Sequence, residues 1–135
     1  MNLTITLAVD DLDRSEHFYR DILCLSVERI NPGHGFPDLL LIRREGTTLL
    51  LRETAAMEAS HPALFQNLDR LARGIGVSIE IPVADLQRID NAVRRQQLHT
   101  LYDLEDDEHQ RRELWLHDPD GYLLILTWEY SENRK

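Results

Sequence analysis

One pattern occurs twice in this chain: an alternating strand, an Asp-Leu pair, a helix, then further strands. In the first copy Leu3, Ile5, Leu7 and Val9 alternate with Thr4, Thr6 and Ala8, and Asp11-Leu12 follows. In the second copy Val77, Ile79, Ile81 and Val83 alternate with Ser78, Glu80 and Pro82, and Asp85-Leu86 follows. A side-chain period of two belongs to a strand whose two faces meet different surroundings. Aligning the Asp-Leu pairs sets Thr4 against Ser78 and Thr6 against Glu80, an internal repeat of about 75 residues. The duplication restricts the chain to two copies of one α+β unit, each a βαβββ module.

The first module reads as follows. Asp11 or Asp13 can cap the helix, and Glu16 in its first turn suits the dipole. Phe18 with Ile22, and Tyr19 with Leu23, give it an apolar stripe. Cys24, between Leu23 and Leu25, reads as a small buried residue. A second strand is expected over 25–31, and Asn31-Pro32-Gly33-His34-Gly35 is a loop by composition. Strands over 38–43 and 47–52 are joined by a tight turn at Glu45-Gly46.

Residues 54–75 connect the modules. A helix is expected from His61-Pro62, with Leu64, Leu68 and Leu71 on one stripe and Gly74 ending it. The second module has a helix carrying Ile89, Val93 and Gln97, then strands near 98–104, 111–117 and 122–129. The last two flank Asp118-Pro119-Asp120-Gly121. There Asp118 can accept from backbone amides, Pro119 fixes φ and Gly121 takes φ > 0, so the stretch reads as a β-hairpin. The expected organisation is one domain over 1–135, with modules at 1–53 and 76–130, a connection at 54–75 and a tail at 131–135.

Charge excludes some functions. There are 15 Lys and Arg against 24 Asp and Glu, a net charge of −9 and a pI near 5.0. Nucleic-acid phosphates need the opposite sign, whereas a cationic ligand is attracted. The single cysteine allows no intrachain disulfide and no thiolate cluster. No apolar run has membrane-spanning length and no signal-peptide pattern begins the chain, so no membrane partner and a cytoplasmic location are expected.

Val9-Asp10-Asp11-Leu12, Ser15, Phe18-Tyr19, Asp21 and Leu23 at one end, with Asp118-Pro119-Asp120-Gly121 at the other, resemble the vicinal-oxygen-chelate superfamily. It holds glyoxalase I, bleomycin-resistance proteins and extradiol dioxygenases. The resemblance implies an α+β fold of two βαβββ modules whose curled mixed sheets enclose a shared cleft. Metal-using members carry a His seven residues before the Asp of the Asp-Leu pair, and a carboxylate four residues after the Gly of Asp-Pro-Asp-Gly. Here those positions are Thr4 and Ser78 for the His, and Ile125 for the carboxylate. A catalytic divalent ion needs three or four N or O ligands. Two hydroxyls and an aliphatic chain do not supply them, so neither the metal cofactor nor a catalytic residue of those members is expected.

Arg111-Arg112-Glu113-Leu114 and Gly35-Phe36-Pro37-Asp38 resemble the bleomycin-resistance branch. That likeness implies a metal-free homodimer that sequesters an aromatic, cationic antibiotic. Cys24 departs from the branch, which usually has Gly there. Candidate ligand-binding residues are Thr4, Thr6, Leu50, Arg52, Ser78, Glu80, Trp115, His117 and Ile125. Glu80 is a carboxylate on the face expected to line the cleft, and burial there favours pairing it with a cation. That cation is either a ligand or Arg52. His117 either faces the cleft or bonds the Asp118 turn. Trp128, alternating with Leu124 and Leu126, is expected in the core. The acidic run 103–108 lacks the spacing of a calcium loop and reads as a solvated loop. The alternative is a lyase or dioxygenase with an atypical divalent-metal site drawn from Glu80, His117 and Glu129. A regulatory domain with a collapsed cleft is the plainest account.

Overall fold

The structure is a computed structural model that describes residues 2–130. The expected tail, 131–135, lies outside the described residues. The chain forms two compact units, Met1–Arg73 and Gly74–Lys135. The first has strands β1 (Leu3–Val9), β2 (Glu28–Ile30), β3 (Leu39–Arg44) and β4 (Thr47–Glu53) in the order β1-β4-β3-β2. The second has β5 (Ser78–Pro82), β6 (Tyr102–Asp106), β7 (Arg111–His117) and β8 (Leu123–Glu129) in the order β5-β8-β7-β6. Each sheet is mixed, its first strand parallel to its last and its other neighbours antiparallel. The same order in both units is the duplication expressed in three dimensions.

Each helix starts where the Asp-Leu pair places it. Asp11 Oδ1 accepts from the amides of Asp13 and Arg14 at 3.0 and 3.2 Å and caps α1 (Leu12–Glu16). Asp85 Oδ1 accepts from Arg88 N at 3.2 Å and caps α4 (Leu86–Arg95). An N-cap carboxylate satisfies amides that have no helical partner. The following Leu12 and Leu86 are fully buried, each anchoring its helix on its own sheet.

α1 packs on β3 and β4, and α4 packs on β7 and β8. The first core joins Leu7, Val9, Leu40, Ile42, Leu49 and Leu51 to Phe18, Tyr19, Ile22 and Leu23. The second joins Ile81, Leu114, Leu116, Leu124 and Leu126 to Ile89, Ala92 and Val93. Each fully buried aliphatic side chain contributes roughly 1.5–3 kcal/mol. Alternation places the core on one face of each strand, and the other face of each sheet, apart from Ala8 and Thr127, is half-buried or exposed.

Several expectations are corrected. α1 runs on as a π-helix, His17–Ile22, in which Leu23 N donates to Phe18 O at 3.0 Å. It ends at Cys24, whose φ of 58° turns the chain, and Cys24 is exposed rather than buried, its Sγ reaching Ile22 O at 3.8 Å. The strand expected over 25–31 shrinks to Glu28–Ile30, an edge segment paired only with β3. On β1 the alternation buries Leu7 and Val9 but leaves Leu3 and Ile5 exposed.

The connection is also not one helix. α2 (Thr54–Ser60), α3 (Pro62–Phe65) and a 3₁₀ turn (Leu68–Arg70) replace it, because Pro62 starts anew and Asn67 at φ 60° breaks the run. Leu64 and Leu71 are therefore exposed. Arg73 closes the first unit by donating to Asp10 Oδ1 at 2.7 Å. In the second unit Gln97 takes φ 55° after α4, which delays β6 to Tyr102 and draws part of the acidic run into the sheet.

Candidate functional site

The hairpin fixes what the second sheet presents. Asp118 is buried, and its Oδ1 accepts from the amides of Asp120, Gly121 and Tyr122 at 2.9 Å each. Gly121 at φ 103° completes the turn. The Asp118 carboxylate itself ties this turn, as its place before Pro119 and Gly121 led us to expect. The turn sets His117 opposite Leu123 and Trp115 opposite Ile125. Cross-strand partners share a face. The same rows carry Ser78 beside Leu123, Glu80 beside Ile125, and Tyr102 beside Trp115.

The open face of the second sheet thus gathers Ser78, Glu80, Ile125, Trp115 and His117 of the sequence-derived candidates. Trp128 lies on the opposite, helix-covered face with Leu124 and Leu126, half-buried. Thr4, Thr6, Leu50 and Arg52 share the open face of the first sheet, where Thr6 pairs with Leu50 and Ala8 with Arg52. Leu50 and Arg52 are half-buried there, and the two threonines are exposed.

Three residues of the second face carry chemistry that the sequence did not single out for the site. Trp115 Nε1 donates to Glu113 Oε2 at 3.0 Å. Arg111 Nη2 reaches Glu113 Oε1 at 3.3 Å and Glu80 Oε1 at 3.4 Å. Tyr102 meets the Trp115 ring edge-on, with centroids 5.4 Å apart. Within the second unit the Glu80 carboxylate has a cation in Arg111, because one sheet face brings the two together. Residue spacing of two on β7 was the signal for Arg111, Glu113, Trp115 and His117 as one row. A cavity of about 300 Å³ adjoins the row, lined by Leu104, Glu105, Asp106, Arg111 and Glu113.

Behind the row, Arg112 faces the helix. It donates to both carboxylate oxygens of Asp103 at 2.8 and 2.9 Å, to Asp90 Oδ2 at 2.9 Å and to Gln87 at 3.0 Å. Arg112 and Asp90 are both buried. The cluster ties β6 and α4 to β7 and holds Tyr102, the neighbour of Asp103, against Trp115. Bonding to Arg112 holds the Asp103 carboxyl below its ordinary value, with burial opposing.

Within each unit, the positions that the resemblance gives to metal ligands carry poor donors. Thr4 and Ser78 offer neutral hydroxyls, and Ile125 offers none. His117 and Glu129 lie at opposite ends of the β7–β8 pair, opposite Leu123 and Arg111. Six residues along a strand span about 20 Å, too far for both to reach one ion. Asp106, Glu108 and His109 bring their ligand atoms within 4.8 Å of one another, but all three are exposed. Asp106 Oδ2 and His109 Nδ1 already share a 2.8 Å hydrogen bond. No helix among the described residues is long and apolar enough to cross a membrane.

The fold has many solved counterparts. It superposes on a lactoylglutathione lyase from Agrobacterium tumefaciens at 19% identity, covering 95% of this chain and 92% of that one, with a TM-score of 0.60. A glyoxalase-related enzyme from Fulvimarina pelagi gives 16% identity, coverages of 95% and 87%, and a TM-score of 0.66. A superfamily member from Sphaerobacter thermophilus gives 16%, coverages of 96% and 97%, and 0.63. Among curated proteins there is no significant match. The family model described as Glyoxalase/Bleomycin resistance protein/Dioxygenase superfamily matches residues 3–126, which spans both copies of the duplicated unit. With the shared strand order and the paired Asp-Leu caps, this places the chain in the glyoxalase/bleomycin resistance protein/dioxygenase superfamily.

Proposed function

We propose that the protein is a metal-independent binding protein that sequesters a small aromatic, cationic molecule and does no chemistry on it. The observation that carries this is the row on β7. A half-buried Trp115, edged by Tyr102, stands beside the Glu113 carboxylate, with Glu80 in the same cross-strand row two strands away. An indole face attracts cations through its quadrupole, and adjacent carboxylates add Coulomb attraction. The overall charge of −9 draws such a ligand from solution. The lyase or dioxygenase alternative draws an atypical metal site from Glu80, His117 or Glu129, and the separation of His117 from Glu129 along the β7–β8 pair speaks against a site that uses both. A homodimer belongs to this reading as what the resemblance implies, and a cytoplasmic location as what the sequence's apolar patterning leads us to expect.

Titration calorimetry of the purified protein with bleomycin and with ethidium tests the reading. Saturable binding near one ligand per chain is expected, with or without a chelator. Absence of heat with both ligands, together with near-stoichiometric Ni, Zn, Mn or Fe in protein prepared without chelator, overturns it.

A further inference from the structure

Arg111 is the only Lys or Arg on the described open face of the second sheet, and carboxylates surround it. Glu129 on β8 and Asp106 on β6 are its cross-strand partners, and its guanidinium reaches Glu80 and Glu113. It is held loosely. Charge-assisted N–H···O contacts ordinarily close to about 2.7–2.9 Å, whereas these stand at 3.4 and 3.3 Å. Its Nε is buried with no hydrogen-bond partner among the described residues. The cavity of about 300 Å³ that Arg111 helps to line gives the side chain room to leave.

We propose that Arg111 is an internal stand-in for the cationic end of the ligand. In the free protein it occupies the ring of carboxylates beside Trp115. A guest bearing an amine, guanidinium or aromatic cation takes that place, and Arg111 swings into the cavity and solvent. Arg111 is then the residue that sets how tightly cations bind, by competing with them. The proposal rests on the binding function above and names its specificity determinant. It predicts the opposite of what a contact residue gives: removing the side chain's charge tightens binding.

The test is titration of wild type, Arg111→Met and Arg111→Lys with ethidium, and with uncharged phenanthridine as control. Arg111→Met is expected to bind ethidium about fivefold tighter, the worth of one unit charge at about 4 Å in water. Phenanthridine affinity stays level, and Arg111→Lys stays near wild type. Equal or weaker ethidium binding by Arg111→Met, with wild type binding normally, overturns this proposal and leaves the binding function standing. Absence of ethidium binding in all three removes both. Should Arg111→Met not fold, the Arg111 Nε–H resonance of the wild type decides. A shift on ethidium saturation supports displacement, and an unmoved signal overturns it.

Discussion

Trp115 and Glu113 lie two residues apart on β7, and the indole Nε1–H of the first donates to Oε2 of the second at 3.0 Å. A strand places such residues on one face as neighbours, so the carboxylate both orients the ring and lends it negative charge. Removing the acceptor frees the indole. Glu113→Ala in a Trp128→Phe background is expected to red-shift Trp115 emission and raise its quenching by iodide. The stability cost should be about 1 kcal/mol. Glu113→Gln keeps an acceptor and should leave emission unchanged. Identical spectra for the Ala and Gln variants would show that the bond does not hold the ring.

Arg112 is the anchor behind that row. Replacing it with Met takes from Asp90, a buried carboxylate, its buried 2.9 Å partner and leaves only the exposed Arg94 at 3.2 Å. Removing one member of a buried ion pair costs about 3–5 kcal/mol. Urea unfolding of Arg112→Met should show a loss of that size, and Arg112→Met with Asp90→Leu should recover most of it. A loss below about 1 kcal/mol, the range of surface pairs, contradicts the assignment.

The Asp103 carboxyl is held below its ordinary value of 3.8, first by its hydrogen bond to Arg112. Asp10 is held down in the same direction by Arg73. A carboxyl depressed in the folded state stabilises the fold above its unfolded value, and that stabilisation is lost as pH falls through the folded value. The urea midpoint should therefore decline as pH drops below about 4. Asp103→Asn removes one titrating group and should make the decline shallower. A decline unchanged by Asp103→Asn rules out a part for Asp103.

Cys24 ends the first helix in the left-handed region at φ 58°, where a β-carbon is crowded and glycine is not. Cys24→Gly should stabilise the protein by about 0.5–1 kcal/mol, or about 2–4 °C in Tm under reducing conditions. Cys24→Ala keeps the β-carbon and should gain nothing. Equal Tm changes for the two variants would remove backbone strain as the cause.

Local chemistry was legible in the residues alone. A carboxylate cap at Asp11 or Asp13, the Glu45-Gly46 and Asp118–Gly121 turns, and the duplicated βαβββ order follow from spacing and turn propensity, because those interactions close within a few residues. Alternation also assigned Trp115 and His117 to one face, since a strand's period is two. Which face that was, and what stood beside it, depended on register. Register is set by pairing between strands far apart in the chain, and no local pattern encodes it. So Glu80 was visible as a carboxylate needing a cation, but its partner Arg111, 31 residues away, was not. The Arg112 cluster, bridging separations of 9, 22 and 25 residues, was invisible for the same reason. Cys24 looked apolar by its neighbours, yet the helix had to end there, and the left-handed turn left the residue exposed.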